Sequence, residues 1–263
     1  MFIMDAGDLV HCAHKSPVLR PKPVTLYFEG DTAFIVTGGG CGRVCGPTRT
    51  TDKSMAGRTG GNVEQVRSAS SFSRMKGSIG GIVRSSCVGE LVERAVFSTF
   101  TYSSHDADLQ RAKQDAPHLA GRLKRKFPTL EYLLVLEPHE KGDWHIHAVL
   151  ILPENVEVPC AITDIGDVWP YGKVHSEAVT DANGLADYFN PFSAKKKPRQ
   201  RFYPPGDRTF FASAGMRRPE KVKGLSLTEA RERVKALGYQ YDSTQTFGSP
   251  GEDMGKRDCY RIP

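Results

Sequence analysis

The stretch Trp144-His145-Ile146-His147-Ala148-Val149-Leu150-Ile151-Leu152 sets two histidines one residue apart inside an apolar run. Each imidazole carries two polar nitrogens that need partners, so a dry core is a poor place for them. Side chains on a strand alternate faces, which turns His145 and His147 the same way, about 7 Å apart along the chain. Trp144, Ile146, Ala148 and Leu150 turn the other way, toward a core. Two readings fit: a half-wet strand whose solvent face carries histidines, or a metal site. Glu137 favours the metal site. It ends the preceding apolar run, across a turn at Lys141-Gly142-Asp143, where a carboxylate can lie beside the histidines across the ladder. Two imidazoles and a carboxylate make a three-ligand site with open positions for substrate. Nucleotide hydrolases with alternating His-x-His-x-His need a third histidine at 149, and this chain has Val149.

Several elements must hold these residues in place. Residues 95–102, 132–137, 144–152 and 172–180 read as strands, rich in β-branched and aromatic side chains. Residues 106–127 read as a helix with an acidic first turn and a basic end, divided at Pro117. Asp181 or Asn183 caps a helix through Leu185, Ala186, Tyr188 and Phe189. Residues 23–38 look like a hairpin around Glu29-Gly30-Asp31, residues 38–62 like a Gly-rich arm, and residues 63–86 like a basic helix weakened by glycines. The tail predicts a helix at 227–238, with Thr228 and Arg231 at its polar start, then a strand at 239–247. Strands flanked by helices around an antiparallel hairpin predict an α+β sandwich.

The chain has 263 residues, 39% hydrophobic and 25% charged, enough for one good core and an extension. Its formal charge of +6 is segregated. Residues 195–223 hold ten Lys/Arg against Asp207 and Glu220, and residues 43–84 hold eight against Asp52 and Glu64. These segments carry +8 and +6, so the remainder carries −8. That pattern fits a polyanionic partner, nucleic acid first, or else two solvated basic loops. Six cysteines show no disulfide framework, and the start lacks a basic n-region with a long apolar stretch. No apolar run reaches the roughly 18 residues of a membrane span. A cytoplasmic protein with reduced thiols and no membrane association is expected. His11-Cys12-x-His14 and Cys41-x3-Cys45 lack a common finger spacing, so no zinc site is expected from them.

Several segments together resemble the histidine–hydrophobic–histidine (HUH) family of single-strand DNA endonucleases, in particular rolling-circle replication initiators of plasmids and phages. Phe97-Ser-Thr-Phe-Thr-Tyr102 is similar to that family's first motif, and 136–147, LEPHEKGDWHIH, to its histidine motif. The stretch 167–197, DVWPYGKVHSEAVTDANGLADYFNPFSAKKK, resembles its third motif, a strand followed by a helix with a nucleophilic tyrosine and lysines. The basic stretches 67–83 and 208–219 resemble segments that flank these motifs, so the resemblance covers roughly 63–219.

The resemblance implies His145, His147 and Glu137 as ligands of Mg²⁺ or Mn²⁺, Tyr188 as nucleophile and Lys195 as an assisting cation. The family's helix usually carries a lysine three residues after the tyrosine, where this chain has Pro191, and only Lys195 matches. Tyr188 stands alone, because the position one helical turn on is Phe192; Tyr171 and Tyr203 lie outside the expected helix. Lys196, Lys197, Arg199, Arg201, Arg217 and Arg218 are the expected DNA contacts.

The implied fold is a central antiparallel sheet flanked by helices, with N- and C-terminal extensions. The expected division is an extension at 1–90, a nuclease core at 91–200 and a basic extension at 201–263. The implied activity is site-specific nicking and joining of single-stranded DNA through a 5′-phosphotyrosine, at an origin hairpin. Homo-oligomers are compatible with it. No Gly-x4-Gly-Lys-Ser/Thr loop occurs (Gly251–Arg257 comes closest), so a host helicase is the expected partner. A relaxase or transposase would use the same chemistry, and a DNA-binding module without catalysis would use only the basic segments.

Overall fold

The computed structural model describes residues 24–37, 67, 69–104, 107–139, 142–189, 202–247 and 255–263. The chain opens with β1 (Val24–Glu29), β2 (Thr32–Thr37), α1 (Ala69–Ser86), the short α2 (Glu90–Glu93) and β3 (Ala95–Tyr102). It continues through α3 (Leu109–Lys126), β4 (Glu131–Pro138), β5 (Trp144–Ile151), α4 (Val158–Gly166), β6 (Gly172–Ala178) and α5 (Ala182–Tyr188). It ends with β7 (Phe210–Ala212), β8 (Glu220–Leu225), α6 (Leu227–Ala236), β9 (Gln240–Phe247) and β10 (Gly255–Arg261). The architecture is α+β, with two five-stranded sheets ordered β6-β3-β5-β4-β7 and β8-β1-β2-β10-β9. All of their pairings are antiparallel.

The first sheet is covered on both faces. Asp115 of α3 accepts a hydrogen bond from Tyr102 on one face, whereas α1 and α5 reach the face of the histidines. Pro117 does not divide α3, which runs unbroken from Leu109 to Lys126. An interior proline costs about 3 kcal/mol. The α3 stripe of Ala112, Ala116, Leu119 and Leu123 is fully buried, and its packing offsets that cost. The helix starts not on an acidic first turn but on an acidic cap, Asp108, whose carboxylate accepts from the Arg111 N–H.

The glycines of α1 do not prevent a helix, and two of them serve its packing. A side chain at Gly81 would meet Pro219 Cγ at 2.7 Å, and one at Gly80 would meet the Ala186 carbonyl of α5 at 3.3 Å. Each helical glycine costs about 1 kcal/mol. Burial of Phe72, Ile79, Ile82 and Val83 contributes roughly 1.5–3 kcal/mol each, so the helix holds.

The second sheet draws strands from both ends of the described chain. α6 covers one face, with Ala230 and Val234 packed on Val24, Leu26 and Ile35. It starts at Ser226, not near Thr228: Ser226 and Glu229 bond each other's backbone N–H in a capping box.

Candidate metal and nucleophile site

Strand register builds the centre. Glu137 of β4 stands opposite His145 of β5, and His147 stands opposite Thr99 of β3. One ligand atom from each of Glu137, His145 and His147 lies within 4.8 Å of the others. His145 Nε2 and His147 Nε2 are 2.9 Å apart, and His147 Nε2 is 3.1 Å from Glu137 Oε2. Thr99 Oγ1, 3.0 Å from His147 Nδ1, orients that ring and leaves Nε2 aimed into the cluster.

This face is not a wet one. His147 is 3% and Glu137 6% exposed, because α1 and α5 lie over them, and His145 is half-buried at the edge. The reading of a solvent-facing strand therefore fails for His147. Burial pushes the Glu137 carboxyl up, but the His147 contact and the Lys76 ammonium outweigh it and hold it well below the usual carboxylate range.

The two oxygens of Glu137 differ. Oε1 accepts from Lys76 Nζ at 3.1 Å. Oε2 is buried and makes no hydrogen bond among the described residues, its 3.1 Å approach to His147 being misaligned for one. A buried charged acceptor left unsatisfied is costly. Two imidazole nitrogens and an orphaned carboxylate oxygen aimed at one small volume fit a divalent cation.

Lys76 escaped the sequence reading, although the helix that carries it did not. It is 4% exposed, and its Nζ lies 5.9 Å from the ring centres of Phe72, Phe189 and Tyr203. A signal was present. Phe72, Lys76, Ile79 and Val83 follow helical spacing, so a lysine stands where the apolar stripe calls for a hydrophobic residue.

Tyr188 is the last residue of α5, whose N-cap is Asp181, accepting from the Asn183 N–H. Its hydroxyl lies 3.2 Å from His147 Nε2, the same nitrogen that faces Glu137 and His145. Phe97 of β3 stacks on His147 at 5.4 Å and meets Tyr188 edge-on at 5.7 Å, fixing both rings. Tyr203 is buried, its hydroxyl directed to the Leu136 carbonyl, and the Tyr171 hydroxyl accepts from Arg122.

The fold thus brings Glu137, His145, His147 and Tyr188 together. Arg217 and Arg218 are exposed between β7 and β8, where the Arg217 carbonyl accepts from Ser86 at the end of α1. Lys195, Lys196, Lys197, Arg199, Arg201, Pro191 and Phe192 lie outside the described residues, as do the cysteines and histidines weighed for zinc. Cys87, Cys160 and Cys259 are free thiols. Among the described residues no helix is long and apolar enough to cross a membrane.

Fold and site define an α+β protein whose antiparallel sheet carries a buried His–His–Glu cluster beside a tyrosine hydroxyl. Residues 95–196 match the family model of replication-associated proteins of the ORF2 type. The matched region contains the whole cluster and Tyr188; Lys76 lies before it. No curated protein and no solved structure matches the chain.

Proposed function

We propose that this chain is a metal-dependent, site-specific nicking and joining enzyme for single-stranded DNA that initiates rolling-circle replication. The observation that carries the reading is the convergence of the Tyr188 hydroxyl, Glu137 Oε2 and His145 Nε2 on His147 Nε2. The match of residues 95–196 to replication-associated proteins supports the biological role.

Tyr188 is the nucleophile. Its oxygen bonds to a backbone phosphorus while the bond from phosphorus to the 3′ oxygen breaks. The products are a 5′-phosphotyrosine and a free 3′-hydroxyl, and the phenol proton ends on the leaving oxygen. A free phenol has a pKa near 10, so it needs a neighbouring cation to react near neutral pH. Mg²⁺ or Mn²⁺ held by Glu137, His145 and His147 would supply that charge and polarise the phosphate. Phe97 and α5 hold the tyrosine ring, so little ordering remains for the attack. Lys195 is the assisting cation, and Lys196, Lys197, Arg199, Arg201, Arg217 and Arg218 hold the DNA backbone. The covalent link conserves the bond energy for rejoining, and a host helicase unwinds the duplex at the origin.

The test is incubation with single-stranded DNA containing the origin hairpin, with Mn²⁺ or with EDTA. An SDS-resistant adduct that forms only with the metal and maps to Tyr188 is expected. Absence of any adduct across origin-derived oligonucleotides would overturn the reading.

A further inference from the structure

We infer that the face of the second sheet opposite α6 binds single-stranded DNA and leads it toward Tyr188. The inference rests on the nicking function proposed above and adds a surface to it.

Alternation along the strands fixes which residues share that face. Val24, Leu26, Ile35 and Tyr260 turn toward α6. Their neighbours therefore turn away, and the pairing aligns them in rows. One row runs Lys223, Thr25, Val36, Arg257, Gln245, and the next runs Lys221, Tyr27, Phe34, Cys259, Ser243. Lys221 and Lys223 are exposed, and Thr25, Tyr27, Val36 and Arg257 half-buried. The Arg257 guanidinium lies 4.6 Å from the Phe34 ring centre and the Lys221 ammonium 5.4 Å from that of Tyr27. Lys221, Lys223 and Arg257 make no ion pair among the described residues.

Three uncompensated cations on four adjacent strands span about 14 Å at the usual strand spacing. A flat cationic face with aromatic rings suits a flexible phosphate backbone, whose bases can lie against Tyr27. Its acidic neighbours are already engaged: Glu29 pairs with Arg84 at 2.6 Å and Asp242 with Arg261 at 3.6 Å.

The third row places this face beside the candidate site. Thr32 Oγ1 donates to Asn183 Oδ1 of α5 at 3.4 Å. Arg84 of α1 joins Glu29 of the sheet to Asp187, the residue before Tyr188. One edge of the face is therefore docked on the helix that ends in the nucleophile, and a strand lying along the face runs toward it.

The experiment uses the full chain with Tyr188→Phe, so that binding is read without cleavage. A fluorescent single-stranded 20-mer is titrated by anisotropy over a range of salt, for this protein and for Lys221→Gln/Lys223→Gln/Arg257→Gln. The triple variant is expected to bind about tenfold more weakly at 0.1 M salt. Its log–log salt slope should shrink by roughly 2, from about 0.7 per lost phosphate contact on a single strand. Lys221→Gln/Lys223→Gln, which alters only exposed side chains, should give a shrinkage of about 1.4 and guards against a folding defect at Arg257. With Tyr188 restored, adduct formation at saturating oligonucleotide should be unchanged. Unaltered affinity and slope in both variants, or a loss confined to duplex DNA or to RNA, would overturn the inference. Failure of wild type to form any adduct would sink the nicking reading instead and leave the binding result standing.

Discussion

Lys76 Nζ and Glu137 Oε1 lie 3.1 Å apart with both side chains buried, so the carboxylate of the cluster has one oxygen committed to a fixed cation. Only Oε2 remains for the cluster, which sets how Glu137 can take part in metal binding. It also ties α1, a helix outside the region matched to replication-associated proteins, to the centre of the site.

Lys76→Met should therefore have two linked effects. Removing one partner of a buried pair costs about 3–5 kcal/mol, so the metal-free variant should unfold well below wild type. Mn²⁺ should then raise its midpoint more than it raises that of wild type, because the ion no longer shares Glu137 with an ammonium. Thermal unfolding in EDTA and in Mn²⁺ measures both. Equal metal-induced shifts in the two proteins would show that Lys76 does not govern the carboxylate.

The lowered pKa of Glu137 gives stability a direction with pH. A carboxyl held below its ordinary value of 4.5 stabilises the fold fully above that pH. The contribution is lost as pH falls below 4.5 toward the folded pKa. Wild type should exceed Glu137→Gln in stability at pH 7, and the gap should narrow on acidification. Denaturant midpoints from pH 7 to pH 3, measured in EDTA, test this; a constant gap would refute it.

The two histidines should separate by burial. His147→Ala removes a buried ring that touches Thr99, Phe97 and Tyr188, and should cost both stability and adduct formation. His145→Ala removes a half-buried ring and should lower adduct formation by about 100-fold or more with a smaller effect on folding. Adduct yield against Mn²⁺ concentration, beside unfolding curves, distinguishes the cases. Wild-type metal dependence in the double variant would exclude both residues as ligands.

Tyr188 should be the sole nucleophile of each chain. Among the described residues it is the tyrosine whose hydroxyl reaches the cluster, while Tyr203 and Tyr171 are engaged elsewhere. Tyr188→Phe should bind DNA as wild type does and form no adduct. Mass spectrometry of the wild-type adduct should place the DNA on Tyr188, and attachment at another tyrosine would refute the assignment.

Much of this centre was legible in the sequence because strands have a local rule. Alternation alone put His145 and His147 on one face, and a short turn obliged Glu137 to pair nearby; Gly142 sits in that turn at φ +103°. The chain order of strand, helix, hairpin, strand and tyrosine helix also follows from periodicity and turn residues. What periodicity could not reveal was which surface each element would cover. Pro117 tolerates a helix because of what lies beneath Ala116 and Leu119, and Lys76 interrupts an apolar stripe because Glu137 waits beneath it.

The second sheet is the clearest case of a tertiary decision. β1 and β2 read as an isolated hairpin, and β8 and β10, rich in charge, carry weak strand signals of their own. They become strands through pairing, β2 with β10 and β1 with β8, between opposite ends of the described chain. Such partners are chosen by complementary edges and a shared apolar face under α6, which no local window of sequence contains. Local chemistry thus determined the candidate ligands and nucleophile from the sequence alone. Long-range packing decided that a lysine would share one of those ligands and that a cationic sheet would stand beside the nucleophile.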